Sequence, residues 1–153
     1  MRPKRERLTR DKSLIGAAGV HYVVSELCLR GLIALPTIRN TAGVDVVVVN
    51  KEGSWHTDIQ VKTSRSKVTS WPVGTGYELW QGANRYYVFL RFDTKAGRFD
   101  AFLERADKVI ENTAIGLEAD KTHGRTLWPA FRLEDQADRL RGQWEQFGPD
   151  VVL

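Results

Sequence analysis

Residues 44–49 read Val-Asp-Val-Val-Val-Val, a run in which only Asp45 is not β-branched. Such a run is typical of a strand that is covered on both faces of a sheet. It is followed at 51–54 by Lys-Glu-Gly-Ser, which is a compact turn signal, and then by a segment that ends in Ile-Gln-Val-Lys at 59–62. We therefore predict a β-hairpin in which these two segments pair.

Three polar residues lie in unusual places in the predicted hairpin. Asp45 opens the apolar strand, and Gln60 and Lys62 close the returning one. Because side chains alternate along a strand, Gln60 and Lys62 share one face and Val61 lies on the other. An acid, an amide and an amine can then converge at one end of the sheet, where charged groups need a partner or a metal ion. The pattern fits either a solvent-facing salt bridge between Asp45 and Lys62 or a functional site.

A long helix is predicted before the hairpin. Apolar residues recur at helical spacing from residue 13 to residue 31, with Ser13 as the expected N-cap and Gly31 as the stop. Gly16 and Gly19 are unfavourable in a helix interior, which suggests the close approach of another backbone or of the sheet edge. The expected buried positions are Leu14, Ala17, Ala18, Val20, Val24, Leu27 and Cys28.

The rest of the chain alternates between strand and helix patterns. A short strand is predicted at 32–38, a loop at 63–77, a second hairpin at 86–92 and 99–103, and helices at 106–117 and 134–147. Pro129 restricts a further strand at 126–133 to a sheet edge. In the last helix, Leu140, Trp144 and Phe147 form the expected buried stripe. The element order predicts an α/β fold, a mixed central β-sheet flanked by helices, in one domain at 13–153 that follows a basic flexible arm at 1–12.

Three segments in this order resemble the PD-(D/E)XK nuclease superfamily, namely GAAGVHYVVSELCLRG at 16–31, NTAGVD at 40–45 and IQVKT at 59–63. With weaker likeness at 85–90 and 128–144, the resemblance covers about residues 16–147 and is strongest to small single-domain members related to Holliday-junction resolvases and restriction endonucleases. It implies a restriction-endonuclease-like core and metal-dependent hydrolysis of phosphodiesters in DNA. The chain departs from the family at Val20, where a glutamate is common, and at Gln60, where many members have an acid.

The resemblance implies that Asp45, Gln60 and Lys62 are the catalytic residues. The Asp45 carboxylate, the Gln60 amide and the Val61 carbonyl would hold Mg²⁺ or Mn²⁺, and Lys62 would orient the attacking water or stabilise the developing charge. Since Asp45 and Lys62 leave the site about neutral, we expect weak Mg²⁺ binding until a DNA phosphate supplies another anionic ligand. The three histidines lack metal-ligand spacing and there is one cysteine, so a zinc site is not expected.

The predicted nucleic-acid contacts surround this site. The formal net charge of +4 favours an anionic partner, and the basic arm at 1–12 either follows phosphates or is a solvated tail. Basic, hydroxylic and aromatic side chains near the hairpin fit contacts with phosphates and bases, although turn chemistry and core packing also explain them. These candidate DNA contacts are Arg39, Asn40, Thr63, Ser64, Arg65, Lys67 and Trp71.

No apolar stretch approaches the roughly 20 residues that span a bilayer, and no secretory signal follows the basic N-terminus. We therefore expect a cytoplasmic protein without membrane contact. Two other functions fit the sequence: a catalytically impaired nucleic-acid-binding module, or a protein-interaction subunit of a defence or mobile-element system. Cutting both strands of DNA generally needs two active sites, which allows for a homodimer or a higher homo-oligomer.

Overall fold

Seven strands and three helices are formed in the computed structural model, which describes residues 8–38, 43–65, 67–125 and 128–147. The strands are β1 (Ile33–Pro36), β2 (Val46–Val49), β3 (His56–Arg65), β4 (Ser70–Pro72), β5 (Arg85–Asp93), β6 (Arg98–Arg105) and β7 (Ala130–Arg132). The helices are α1 (Lys12–Leu29), α2 (Ala106–Thr122) and α3 (Ala137–Leu140). None of the helices in the described residues is long and apolar enough to cross a membrane.

Five strands form a mixed sheet in the order β1-β2-β3-β5-β6. Neighbouring strands are antiparallel except β3 and β5, which are parallel and pair from Asp58↔Arg85 to Arg65↔Phe92. The predicted α/β fold, with a mixed sheet flanked by helices, is therefore confirmed. Both hairpins are present, with β2 joined to β3 and β5 joined to β6. We call the side of the sheet that α1 covers the first face, and the opposite side the second face.

The coverage of β2 differs from the prediction. Val46 and Val48 are fully buried under α1 on the first face, whereas Val47 and Val49 on the second face are only half-buried. The second face is covered by a layer that includes β4, β7 and α2, and this layer packs on β5 and β6. It leaves the β1–β2 end of the sheet open on that side, so the expected burial of β2 on both faces is wrong.

Helix α1 packs on β3 through a glycine. The buried positions are Ile15, Gly19, Val23 and Leu27, spaced four residues apart along one face. A methyl group on Gly19 would lie 2.2 Å from Thr63 Oγ1 of β3, so α1 and the sheet are close there, although the neighbours are side chains of central strands and not a backbone or the sheet edge. Gly16 faces open space. The predicted face is wrong by about one position, since Leu14 and Cys28 are exposed. The helix is capped by the Asp11 carboxylate rather than by Ser13.

An aromatic core lies under the second-face layer. Tyr87 and Phe89 of β5 stack in parallel at 5.4 Å, and Phe89 stacks on Phe131 of β7 at 4.2 Å between ring centroids. The predicted loop at 63–77 contains strand β4, whose Trp71 pairs with Phe131 across the two-stranded sheet that β4 and β7 form. The layer over β5 is thus built from segments far apart in sequence.

The C-terminal third is partly different from its prediction. Helix α2 continues through Gly116 to Thr122, beyond its predicted end at 117, and the Arg132 side chain lies over that glycine. The stretch at 134–147 is not one helix: α3 ends at Leu140, Arg141 is extended, and Gly142 has a φ of 62°. Leu140, Trp144 and Phe147 are nevertheless all buried, as expected.

Candidate active site beyond the end of strand β2

Three hydrogen bonds fix Asp45 where β2 begins. Its main-chain N–H donates to the Ile59 carbonyl at 2.9 Å, and its own carbonyl accepts from the Thr37 N–H at 3.0 Å. Its carboxylate oxygen Oδ2 accepts from the Val61 N–H at 2.7 Å. The carboxylate thus takes the place of a strand carbonyl beyond the last β2–β3 pair, Val46↔Ile59. This geometry sets one half-buried negative charge directly beside the middle of β3.

The Val61 carbonyl faces the same side of β3 as Asp45. The Asp58 N–H donates to the Asn84 carbonyl at 2.9 Å, towards β5. Main-chain groups alternate in direction along a strand, so those of Val61 point the other way, towards β2. Because β2 has no residue paired with Val61, its carbonyl projects into the space beside the Asp45 carboxylate.

Gln60 and Lys62 lie on the second face, as the alternation predicts. They pair with Tyr87 and Phe89, which belong to the aromatic core of that face, whereas Val61 pairs with Val88 on the first face. Both side chains are half-buried. The sequence spacing therefore brings an acid, an amide and an amine to one region of the sheet. Asp45 lies beyond the last β2–β3 pair, and Gln60 and Lys62 lie on the neighbouring part of β3.

Lys62 is a partly desolvated amine. Burial lowers the pKa of Lys62, and the charge of Asp45 offsets part of that effect. Among the residues that the structure describes, no carboxylate oxygen lies within 4.0 Å of its ammonium group, and no group hydrogen-bonds to it. The salt bridge between Asp45 and Lys62, which was one of the two alternatives for this pattern, is therefore not formed. The amine is available to an anionic ligand and is more easily neutralised than an ordinary lysine.

Lys62 opens into a groove of about 600 Å³ that we call the basic groove. Its cations are Arg10 and Lys12 from the start of α1, Lys62, and Arg65 from the end of β3. In the described part of the chain none of these four is ion-paired within 4.0 Å, although many other arginines are, such as Arg132 with Asp120. No carboxylate of the described residues lines the groove. Its unneutralised positive charge suits a polyanion.

The predicted DNA contacts fall into three groups. Thr63, Ser64 and Arg65 line the basic groove, and Lys67 is exposed just after β3. Arg39 and Asn40 lie outside the described residues. The prediction that Trp71 contacts DNA is wrong. Trp71 is 1% exposed, and its indole N–H donates to the Leu90 carbonyl at 2.9 Å. It therefore belongs to the core and offers no face to a base.

Two contributions to the groove could not be found from local patterns. Thr94 comes from the β5–β6 turn, and Ile15 comes from α1. Neither has a sequence signal, since only the tertiary packing brings these segments beside β3. Val20, where the resembling family has a glutamate, is half-buried and packs against the first-face core.

The donor set for a metal ion contains a single carboxylate. In the described residues, no three histidine, cysteine, aspartate or glutamate side chains lie close enough together to hold a metal. The oxygen donors that the resemblance assigns to a metal ion are the Asp45 carboxylate, the Val61 carbonyl and the Gln60 amide. Mg²⁺ is commonly held by one or two carboxylates together with water and substrate phosphates. These residues therefore fit an ion that takes further ligands from a bound phosphate.

Comparison with known proteins gives information on the fold. No protein-family model matches the chain, and no curated protein matches its sequence. Among solved structures, the chain is similar to a bacterial homing endonuclease, I-Ssp6803I, with a TM-score of 0.53 and 13% sequence identity. The alignment covers 88% of this chain and 90% of the endonuclease. The chain therefore shares the α/β fold of this endonuclease.

Proposed function

We propose that this protein is a divalent-metal-dependent endonuclease of the PD-(D/E)XK type that hydrolyses phosphodiester bonds in DNA. One observation carries the proposal. The Asp45 carboxylate is fixed by the Val61 N–H at 2.7 Å, while Lys62, one residue further along β3, is half-buried and has no anionic partner within 4.0 Å in the described residues. An acid that is hydrogen-bonded to β3 at Val61 and an amine on the next residue of that strand suit phosphodiester hydrolysis.

In this proposal the oxygen donors of the site bind the metal ion. The Asp45 carboxylate, the Val61 carbonyl and the Gln60 amide hold Mg²⁺ or Mn²⁺, with Asp45 providing the only formal charge. When bound, such an ion polarises the scissile phosphate and lowers the pKa of water. The Val61 N–H keeps Asp45 oriented in the absence of substrate, so this ligand needs no rearrangement when DNA arrives.

Lys62 acts on the substrate itself. In its charged form it donates hydrogen bonds to the phosphate and stabilises negative charge that develops there, an effect that is larger in a partly desolvated site than in water. The alternative role of Lys62 is to orient the attacking water, and its lowered pKa makes proton loss easier than in an ordinary lysine. The basic groove beside it, with Arg10, Lys12 and Arg65, holds the neighbouring phosphates of the strand.

A nicking assay on supercoiled plasmid with Mg²⁺ or Mn²⁺ tests this function. Asp45→Asn keeps an oxygen that can accept from the Val61 N–H but removes the charge, and Lys62→Met keeps the length of the side chain. We expect each change to lower the rate by at least about 100-fold, the usual cost of removing one transition-state contact. Lys51→Met, in the turn at the other end of the hairpin, is the matched control. Nicking by Asp45→Asn at the parent rate would contradict the site assignment.

The single carboxylate favours one alternative, a module that binds nucleic acid without cleaving it. Such a module would bind duplex DNA in EDTA as well as in Mg²⁺ and would show no nicking with either metal. Failure to bind DNA even at low salt would instead favour the protein-interaction subunit. If the protein cuts both strands, we propose that it acts as a homodimer or a higher homo-oligomer, which sedimentation on DNA would test.

A further inference from the structure

A second concavity, which we call the aromatic cleft, lies on the other side of Gln60 from the basic groove. It has a volume of about 450 Å³, which is within the usual range of small-ligand pockets. Tyr77, Trp80 and Tyr87 form its aromatic walls, and Gln60 and Arg85 contribute polar groups. The Trp80 and Tyr87 rings meet edge to face at 4.8 Å. The cleft is therefore bounded by a rigid pair of aromatic rings next to the candidate active site.

Two groups that line the cleft have unused hydrogen-bonding capacity. Tyr87 is 1% exposed, yet its hydroxyl has no hydrogen-bond partner in the described part of the chain. Burial raises the pKa of Tyr87 to about 12, so the hydroxyl stays neutral and can donate or accept. The Gln60 amide, a donor and an acceptor, likewise has no partner among the described residues. The Tyr87 hydroxyl is not one of the fully buried unpaired atoms of the described residues, so it keeps some surface at the cleft, where a ligand can satisfy it.

The rim of the cleft is held in place. The Arg85 guanidinium lies 5.5 Å from the centre of the Trp80 ring, and its Nε is 3.9 Å from an Asp58 carboxylate oxygen. Arg85 also donates to the Gln81 carbonyl at 3.3 Å. Leu79, which also lines the cleft, is 82% exposed. These contacts fix the cationic and aromatic parts of the rim without filling the space between them.

We propose that the aromatic cleft receives one unpaired nucleobase of the DNA substrate, beside the phosphate held at Asp45 and Lys62. A planar heterocycle matches the aromatic walls, and its edge can be read by the Tyr87 hydroxyl and by the NH2 group of Gln60, whose amide oxygen is the atom assigned to the metal. Gln60 and Lys62 are two strand residues apart, about 7 Å, which is the rise of two nucleotides in a strand. The identification of the heterocycle as a nucleobase rests on the proposed nuclease function.

A base bound in the aromatic cleft restricts the DNA substrates that the protein can use. A base inside a duplex cannot enter a pocket of this kind, so the strand must be single-stranded, mismatched or distorted at that position. The protein would therefore prefer substrates that have an unpaired base next to the cleavage position over fully paired duplexes of the same sequence.

Mononucleotides test the cleft without any need for cleavage. Deoxynucleoside monophosphates are titrated calorimetrically against the full chain, and 2-deoxyribose 5-phosphate, which lacks the base, is the comparison ligand. We expect at least one of the four nucleotides to bind at least tenfold more tightly than the sugar phosphate. Equal binding of all five ligands, or no binding of any, would overturn the proposal.

Substitutions then locate the binding. Gly76 lines the cleft with a φ of −99°, and a Cβ there meets no atom within 4 Å, so Gly76→Leu should occupy the cleft without strain. We expect it to abolish the nucleotide preference, and Tyr87→Phe to weaken it several-fold, whereas Thr75→Leu beside the cleft leaves it unchanged. A preference that survives Gly76→Leu would overturn the proposal. Asp45→Asn should retain the preference, so the cleft and the proposed catalysis can fail independently.

Discussion

Replacing Gly19 by alanine tests whether the contact between α1 and β3 is as close as the structure shows. The added methyl group would lie 2.2 Å from Thr63 Oγ1 and 3.1 Å from a Leu90 methyl carbon, so the helix or the strand must move. Overpacking of this kind typically costs about 1–3 kcal/mol. Alanine is better than glycine in a helix by about 1 kcal/mol. We therefore expect Gly19→Ala to lower the free energy of unfolding by about 1 kcal/mol, or about 2–4 °C in melting temperature.

Gly16 provides the matched control for this experiment. It lies three residues earlier in α1, and an added Cβ meets no atom within 4 Å. Gly16→Ala should therefore gain the full helix preference of about 1 kcal/mol. Thermal melts followed by circular dichroism would place the two variants about 2 kcal/mol apart. If Gly19→Ala is as stable as Gly16→Ala, helix and strand are not in this contact and the reasoning fails.

A second substitution should rescue the first. Thr63→Ala removes the atom closest to the new methyl group, and because Thr63 Oγ1 has no hydrogen-bond partner in the described residues, no hydrogen bond is lost. The double variant should be more stable than the sum of the single effects predicts, with a coupling of about 1 kcal/mol. Additive effects would show that the strain of Gly19→Ala is relieved elsewhere.

Three further predictions concern the groove and the core. Lys62→Met should raise the free energy of unfolding at pH 7 by about 0.5–2 kcal/mol. Because the folded-state pKa of Lys62 is lowered, the cost of burying its charge is full below that pKa and absent above the ordinary value of 10.5. In thermal melts the stability gained by the variant should therefore shrink as the pH rises towards 10.5. Trp71→Phe should cost about 1–3 kcal/mol because the Leu90 carbonyl loses its donor, while DNA affinity in a binding titration stays unchanged. Arg65→Ala should reduce the slope of log K against log salt by about 0.9, whereas Lys51→Ala should not change it; an equal effect of both would remove Arg65 from the interface.

The elements that local chemistry determines could be predicted from the sequence. The β-branched run and the turn at 51–54 predicted the β2–β3 hairpin, and alternation placed Gln60 and Lys62 on one face and Val61 on the other. The face of α1 was missed because counting apolar residues favours Leu14 and Cys28, whereas the helix is seated by Gly19, whose missing side chain allows the close contact. A residue that packs through the absence of a side chain gives no hydrophobic signal.

Features built from distant segments could not be predicted. Trp71 lies in a polar, glycine-rich stretch that is typical of a loop, and only its pairing with β7 and its hydrogen bond to Leu90 make it a core residue. The basic groove joins the start of α1 to the end of β3, so its four unpaired cations are not recognisable as one cluster along the chain. The aromatic cleft likewise depends on the packing of Trp80 against Tyr87.

The hydrogen bond from the Val61 N–H to Asp45 makes one main-chain proton in the central strand depend on a single side chain. Amide protons within a sheet are usually shielded from exchange by a neighbouring strand, and they report on the opening of that strand. The Val61 amide is instead protected by the Asp45 carboxylate, so hydrogen exchange of that amide reports on the position of Asp45 alone. A bound cation that held the carboxylate in this position would keep the proton protected, and slower exchange at Val61 would then measure occupancy of the site in a protein that is not turning over.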